Sequence, residues 1–266
     1  MADSVYISAN LTKSQLHFLH LINEKEIEYF TISEIEKQLN HKFDNINEVL
    51  ENLVKKKFLY RLQKGYYAVK NFNNQNVIGT FISQNSAVGY WSALSIHGLT
   101  SRFPNKVFIQ TTKRKRDKTI LGVSYKFVTI SERKRTGIIT LGYSNNKFPI
   151  TDIEKTIIDC FDLQKYSGGF DILIVAFAQA KLNSKKMITY AEAVNNISVI
   201  KRIGFLAELL NKKGMKTFIK YAKQKINKKY TLIDSTGENK GEFVSDWKLR
   251  LNVSRDKIIQ LSKELY

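Results

Sequence analysis

Between Phe30 and Val69 the spacing of apolar residues changes from helical to alternating. Ile32, Ile35 and Leu39 form a short stripe at helical spacing, and Thr31 with Glu34 has the form of a capping box, so a helix is predicted to open at Thr31. A polar break at Asn40, His41 and Lys42 follows. Asp44 is then placed to cap a second helix whose Ile46, Val49, Leu50, Leu53 and Val54 repeat at i, i+3, i+4, i+7 and i+8, a stripe that must face a core. The opposite face carries Asn45, Asn47, Glu48, Glu51, Asn52 and Lys55. Residues 58–62 and 66–69 alternate around Gln63, Lys64 and Gly65, where glycine accepts the positive φ of a tight hairpin. Two helices followed by a hairpin is the order of a winged helix-turn-helix, in which the second helix reads the major groove. On that reading Lys42, Asn45, Asn47, Asn52 and Lys55 meet bases or phosphates from the helix, and Arg61, Gln63 and Lys64 from the wing. A small helical subdomain with a hairpin for protein contacts has the same pattern.

Upstream, residues 11–26 place Leu16, Leu19, Leu21 and Ile22 on one side of a helix that packs beneath the pair. Downstream, residues 70–76, KNFNNQN, have no apolar period and mark a boundary between an N-terminal domain, 1–76, and a second domain, 77–266. SAVGYWSALSIHGLT reads as a helix capped by Ser86, with Ala87, Tyr90, Trp91 and Leu94 on one face, His97 in its last turn and Gly98 as its stop. Alternating runs at 106–112, 123–130, 137–143 and 147–150 predict a mainly antiparallel sheet. Thr151 to Glu154 is a further capping box, opening a helix with Ile153, Ile157, Cys160 and Phe161 along one side. Gly168 and Gly169 mark a turn before the apolar helix FDILIVAFAQAKL. Amphipathic helices at 199–210 and 215–226, strands at 230–234 and 243–251 with Trp247 as packing, and a last helix capped by Ser254 complete an α+β fold: an N-terminal winged helix-turn-helix followed by a larger mixed α/β domain.

The chain has 266 residues and a net charge of +19, unevenly distributed. Residues 1–78 hold 10 Lys/Arg against 9 Asp/Glu, residues 79–150 hold 12 against 2, and residues 151–266 hold 21 against 13. The DNA-reading head is thus nearly neutral and the body is basic, which points to a polyanion meeting the body as well. Lys113, Arg114, Lys115, Arg116 and Lys118 join the first two body strands, and Arg133, Lys134 and Arg135 the next pair. Both connections are expected to project as phosphate-binding fingers. Lys220 and Lys223, with neighbouring lysines on the polar side of 215–226, form a third cluster.

No catalytic, cofactor or metal constellation stands out. Asp152, Glu154 and Asp159 lack matching carboxylate and lysine partners and are expected to cap helices or face solvent. His17 and His20 have no Cys or carboxylate at ligand spacing, Cys160 falls on an apolar stripe, and there is no GxxxxGK[ST] loop. An enzyme is therefore not expected, although a nuclease or nucleotidyl-transfer enzyme, or an RNA-binding protein, remains the alternative for a basic body. Residues 1–10 lack the basic start and apolar run of a signal peptide, and no apolar segment is long enough to span a bilayer, so a cytoplasmic location is expected, with no membrane partner.

The order of RLQKGYY after the helix pair, WSALSIHGLT, TDIEKTIIDCF, SGGFD, KRIGFLAE, YTLID and DWKLRLNV resembles the AbiEi antitoxin family of abortive-infection, type IV toxin–antitoxin systems, over nearly the whole chain. The resemblance implies a repressor that binds inverted repeats in the double-stranded DNA of its own promoter through the winged helix. It also implies a C-terminal domain that counteracts a nucleotidyltransferase toxin without a stable complex, and no cofactor.

Overall fold

The computed structural model describes residues 10–264. Of the stretch expected to lack a signal peptide, all but Asn10 lies outside the described residues. No helix among the described residues is long and apolar enough to cross a membrane.

The N-terminal part is three helices on a three-stranded sheet. α1 (Lys13–Glu24) opens on a capping box between Thr12 and Gln15 and buries Gln15, Phe18 and Ile22. Leu16, expected on the inner face, is 53% exposed. A glutamine holds the inner position because the Lys56 ammonium donates to its Oε1 (2.9 Å), so its amide is not left unpaired. β1 (Tyr29–Thr31) is a strand too short for the pattern to reveal, pairing antiparallel with β3. Thr31 therefore ends a strand instead of capping a helix: its Oγ1 donates to the Glu34 carboxylate (2.8 Å), and α2 (Ile35–Leu39) begins after that turn. α3 (Ile46–Lys55) is capped by Asn45, not Asp44, the Asn45 Oδ1 accepting from the Glu48 amide (3.2 Å). Val49, Leu50 and Leu53 face inward as their spacing predicts. β2 (Leu59–Gln63) and β3 (Tyr66–Val69) form the expected hairpin, and the sheet runs β1–β3–β2.

One face of this sheet packs Phe30, Leu59 and Tyr67 against Phe18, Ile35, Leu50 and Leu53 of the helices. The other face does not meet solvent. Leu62 and Ala68 join Phe72, Val77, Ile78 and Ile82 and the body residues Val107, Ile109 and Tyr125 in a second core. Head and body thus share a core, and the boundary drawn at residue 76 falls inside α4 (Gln75–Phe81). The asparagine-rich stretch that suggested a linker ends in the cap of that helix, Asn74 Oδ1 accepting from the amides of Asn76 and Val77.

β4 (Ser86–Val88) stands where a helix start was expected, with Ser86 Oγ donating to the Ser83 carbonyl (2.6 Å), and α5 (Tyr90–Ile96) begins only after Gly89. β5 (Val107–Thr111), β6 (Lys118–Ile120), β7 (Val123–Thr129), β8 (Ile138–Leu141) and β9 (Phe148–Thr151) complete a six-stranded sheet of order β6–β7–β5–β4–β9–β8. β5 pairs with β7, and β4 with β9, in parallel. The expected mainly antiparallel sheet is therefore mixed; alternation fixes which face a side chain takes but not which strand lies alongside. Strand alternation sends Val107 and Ile109 to the core shared with the head, and Phe108 to the helices behind.

Those helices are α6 (Ile153–Asp162), α7 (Phe170–Gln179), α8 (Ser184–Val194), α9 (Ile197–Leu209) and α10 (Lys216–Lys225). α6 is capped by Asp152, one residue later than expected, its carboxylate accepting from the Lys155 amide (2.9 Å). A small sheet of β10 (Thr231–Leu232), β11 (Glu242–Val244) and β12 (Leu249–Leu251) follows, then α11 (Arg255–Ser262), capped by Ser254. The single strand expected over 243–251 folds back on itself, because buried Trp247 turns inward and donates from Nε1 to the Glu208 carboxylate (2.6 Å).

Candidate nucleic-acid interface

Parallel pairing of β5 and β7 sets Thr111 beside Thr129, so the connections after both strands leave the sheet at one end. Ser86 pairs with Thr111, which brings residues 82–85 to the same end. The hairpin reaches it too. Gln63 Nε2 donates to the Ile82 carbonyl (3.2 Å), and the Lys115 ammonium donates to both Gln63 Oε1 (2.8 Å) and the Ile82 carbonyl (2.9 Å). Lys118 Nζ donates to the Leu62 carbonyl (3.1 Å).

These contacts change the expected roles of several residues. Lys115 and Lys118 were expected as phosphate-binding fingers, and they instead fasten the hairpin to the body. Burial, with Lys118 close by, lowers the pKa of the Lys115 ammonium, which also lies over the Phe127 ring (5.3 Å). Gln63, expected to read DNA from the wing, is held by both segments. Lys113 donates to Gln84, and Lys134 pairs with the largely buried Asp162 (2.6 Å). Nothing in the run Lys113 to Lys118 distinguishes clamping from free cations, because the partners lie between 29 and 56 residues upstream and meet it only through the shared core.

What remains at this end is Lys147, which lines a groove with Arg135 and Ser86, and four arginines. Arg114, Arg116, Arg133 and Arg135 are exposed, and among the described residues none of their side chains makes a hydrogen bond, ion pair or ring contact. Asp117, next to Arg116 in sequence, is occupied by Lys126 (2.8 Å). Unpaired guanidinium forks on rigid connections suit bidentate contact with phosphate.

On the head, Lys42, Asn47, Lys55, Arg61 and Lys64 are exposed. Asn45 is not a free reader: its Oδ1 caps α3, and its Nδ2 donates to the Glu48 carboxylate (3.1 Å). Asn52 is half-buried and lines a groove with Thr12, Gln15 and Phe43, toward α1 instead of outward. Glu48 and Glu51 are exposed on the same helix, so α3 itself offers little attraction to phosphate.

The third basic cluster divides similarly. Lys220 is exposed and unpaired, whereas Lys223 pairs with Glu208 and lies over the Trp247 ring (5.6 Å). Burial pulls the Glu208 carboxyl up, but hydrogen bonds from Lys223 and Trp247 outweigh it and hold its pKa below the ordinary value. Lys201 and Arg202 of α9 are buried. Lys201 donates to Asn227 Oδ1 (3.1 Å) and to the Lys229 carbonyl (2.5 Å), and Arg202 to the carbonyls of Leu232 (2.9 Å) and Phe161 (3.3 Å). Burial lowers the Arg202 guanidinium to about 10, against the pull of Asp234 and Asp162.

Asp152, Glu154 and Asp159, expected to cap helices or face solvent, are buried, and of the three Asp152 caps α6. Asp152 accepts from Tyr190 Oη (2.9 Å) and Lys186 Nζ (3.0 Å), Glu154 from the Asn183 amide (3.0 Å), and Asp159 forms an ion pair with Lys155, itself fully buried. Burial pushes the Asp159 carboxyl up, against the opposing pull of Lys155. Asp152 and Glu154 tie the start of α6 to α8, the Lys155–Asp159 pair lies within α6, and among the described residues no group of three His, Cys, Asp or Glu side chains is placed to hold a metal. Cys160 is buried, and burial pushes its thiol up.

No family model matches the chain, and no curated protein does. Among solved structures, the crystal structure of RV2827C protein from Mycobacterium tuberculosis is similar, with a TM-score of 0.64 at 11% identity over 97% of this chain and 98% of that one. The two share a fold from end to end.

Proposed function

We propose that the protein is a double-stranded-DNA-binding regulator of the AbiEi antitoxin type, acting in the cytoplasm. Its N-terminal unit is read as a winged helix-turn-helix, with Asn47 on α3 as the base reader and the β2–β3 hairpin as the wing. The observation that carries the reading is the set of four unpartnered arginines, Arg114, Arg116, Arg133 and Arg135, which leave one end of the sheet beside the clamped hairpin. A nearly neutral helix then supplies sequence choice, and the arginines supply attraction to the backbone. Repression of an operon shared with a nucleotidyltransferase toxin, and neutralisation of that toxin by the body, follow from the family resemblance.

The test is fluorescence anisotropy of the full chain with a duplex carrying the inverted repeats upstream of its own reading frame and with a scrambled duplex, across a salt series. The expected result is preferential binding to the repeats with a steep salt dependence, and Asn47→Ala is expected to cost roughly 1–3 kcal/mol on the repeats while leaving scrambled DNA unchanged. Equal, salt-insensitive binding to both duplexes would remove the reading. Co-expression with the product of a neighbouring nucleotidyltransferase-like reading frame tests the antitoxin half: growth is expected to return only when the chain is present.

A further inference from the structure

The two edges of the six-stranded sheet are built differently. The β6 edge is three residues long, is flanked by Arg116 and Asp117 and carries Lys118, which is tied to the hairpin. Short, charged and covered edges resist pairing with another chain. The β8 edge has none of these protections. Residues 136–146, TGIITLGYSNN, carry no charged side chain in a chain of net charge +19. The longer uncharged run at 71–101 is explained by burial of most of its residues, but this one lies at the surface: Ile139 is 40% exposed, Tyr143 77%, and Thr140 is exposed as well. β9 covers one side of β8, and the sheet ends there, so alternate amides and carbonyls of β8 face outward.

We infer that the β8 edge pairs with the β8 edge of a second copy of this chain, antiparallel about a two-fold axis between Thr140 and the Thr140 of that copy. Thr140 stands opposite Pro149, which has no amide to donate, and the Asp152 amide donates to the Gly137 carbonyl, so it is Ile138 and Thr140 whose amides and carbonyls face away from β9. The pairing sets Thr140 against the other copy's Thr140 on one face and Ile139 against its Leu141, twice, on the other, cross-strand pairs of β-branched and apolar residues. The strand is bounded at both ends by glycines of positive φ, Gly137 (φ 62) and Gly142 (φ 91), which confine the pairing to the residues between them. Charge selects the occupant. An acidic partner has no reason to choose a neutral strip on a strongly basic protein, whereas two copies of a cation can approach only where neither presents charge. Four residues per strand make a weak dimer that forms with concentration.

Sedimentation velocity of the full chain, over a concentration series at about 0.1 M and about 1 M salt, tests this. Salt shortens the Debye length from about 10 Å to about 3 Å, so the repulsion between the copies falls and the dimer is expected to strengthen with salt. Thr140→Lys places an ammonium group against the opposite strand in each copy and is expected to raise the dimer Kd roughly tenfold or more, while Thr140→Val tightens it. Circular dichroism confirms that both variants keep the fold. A monomer at every concentration in both salts, a dimer that weakens with salt, or a Thr140→Lys chain that dimerises like the parent would each overturn the inference.

Discussion

The connections at the hairpin end of the large sheet and the helices behind that sheet are both rich in cations, and the fold treats them in opposite ways. Behind the sheet, Lys155, Lys186, Lys201, Arg202 and Lys223 all have carboxylate, amide or carbonyl partners, and three of them are buried. At the hairpin end Lys115 and Lys118 are anchored, and Arg114, Arg116, Arg133 and Arg135 are free. A net charge of +19 is therefore a mixture of structural and available charge, and these four arginines are an available part that lies where the head and body meet.

The contrast breaks most readily at the arginines. Replacing Arg114, Arg116, Arg133 and Arg135 together with glutamine is expected to weaken duplex binding roughly a hundredfold or more near physiological salt. It should also flatten the plot of log K against log salt by about three to four, with little change in Tm. Anisotropy titrations and thermal unfolding check both parts.

Lys201→Met should do the reverse. It removes the hydrogen bonds of a buried ammonium to Asn227 and to the Lys229 carbonyl and is expected to cost about 1–3 kcal/mol of stability in urea unfolding, leaving the salt slope of the folded fraction unchanged. An unchanged denaturation midpoint would show that the buried cations are not structural.

Lys115→Met sharpens the boundary between the two classes. Loss of the bonds to Gln63 and Ile82 is expected to destabilise the chain by about 1–3 kcal/mol. Affinity should fall through looser seating of the hairpin, without the slope change that removal of a phosphate contact produces. A slope reduced by about one would instead place Lys115 among the available charges.

The smallest effect concerns Tyr190, whose hydroxyl donates to Asp152 and whose pKa is raised to about 12, by burial first and by that hydrogen bond second. A folded-state pKa above the unfolded value means that the unfolded chain releases its proton first. The stability contributed is then complete below about pH 10 and is lost as pH rises through about 12. Wild type should exceed Tyr190→Phe by roughly 1 kcal/mol at neutral pH, and the gap should close across that window. Urea titrations at several alkaline pH values measure it.

Much of the local structure was legible in residue spacing alone. The inward stripe of α3, the hairpin turning at Gly65, the strands β5, β7, β8 and β9, the Ser254 cap and the packing role of Trp247 are all consequences of apolar period and turn chemistry, which act over a few residues. The candidate site was legible only as a list of cations. Caps were misplaced by a residue where Asp44 stood beside Asn45 and Thr151 beside Asp152, since neighbouring residues of similar capping chemistry compete and the approach of the chain decides between them.

The sequence by itself determined where the longer periodic segments become helices and strands, how charge is divided between head and body, and that no charge interrupts residues 136–146. Tertiary structure alone decided which cations are available. Parallel pairing of β5 with β7 gathers two distant basic connections at one end, and the core shared by head and body brings Lys115 and Lys118 to the hairpin while leaving the neighbouring Arg114 and Arg116 in solvent. The physical reason is that a charged side chain's role depends on whether a fixed acceptor lies within hydrogen-bond reach, and those acceptors come from segments remote in the chain.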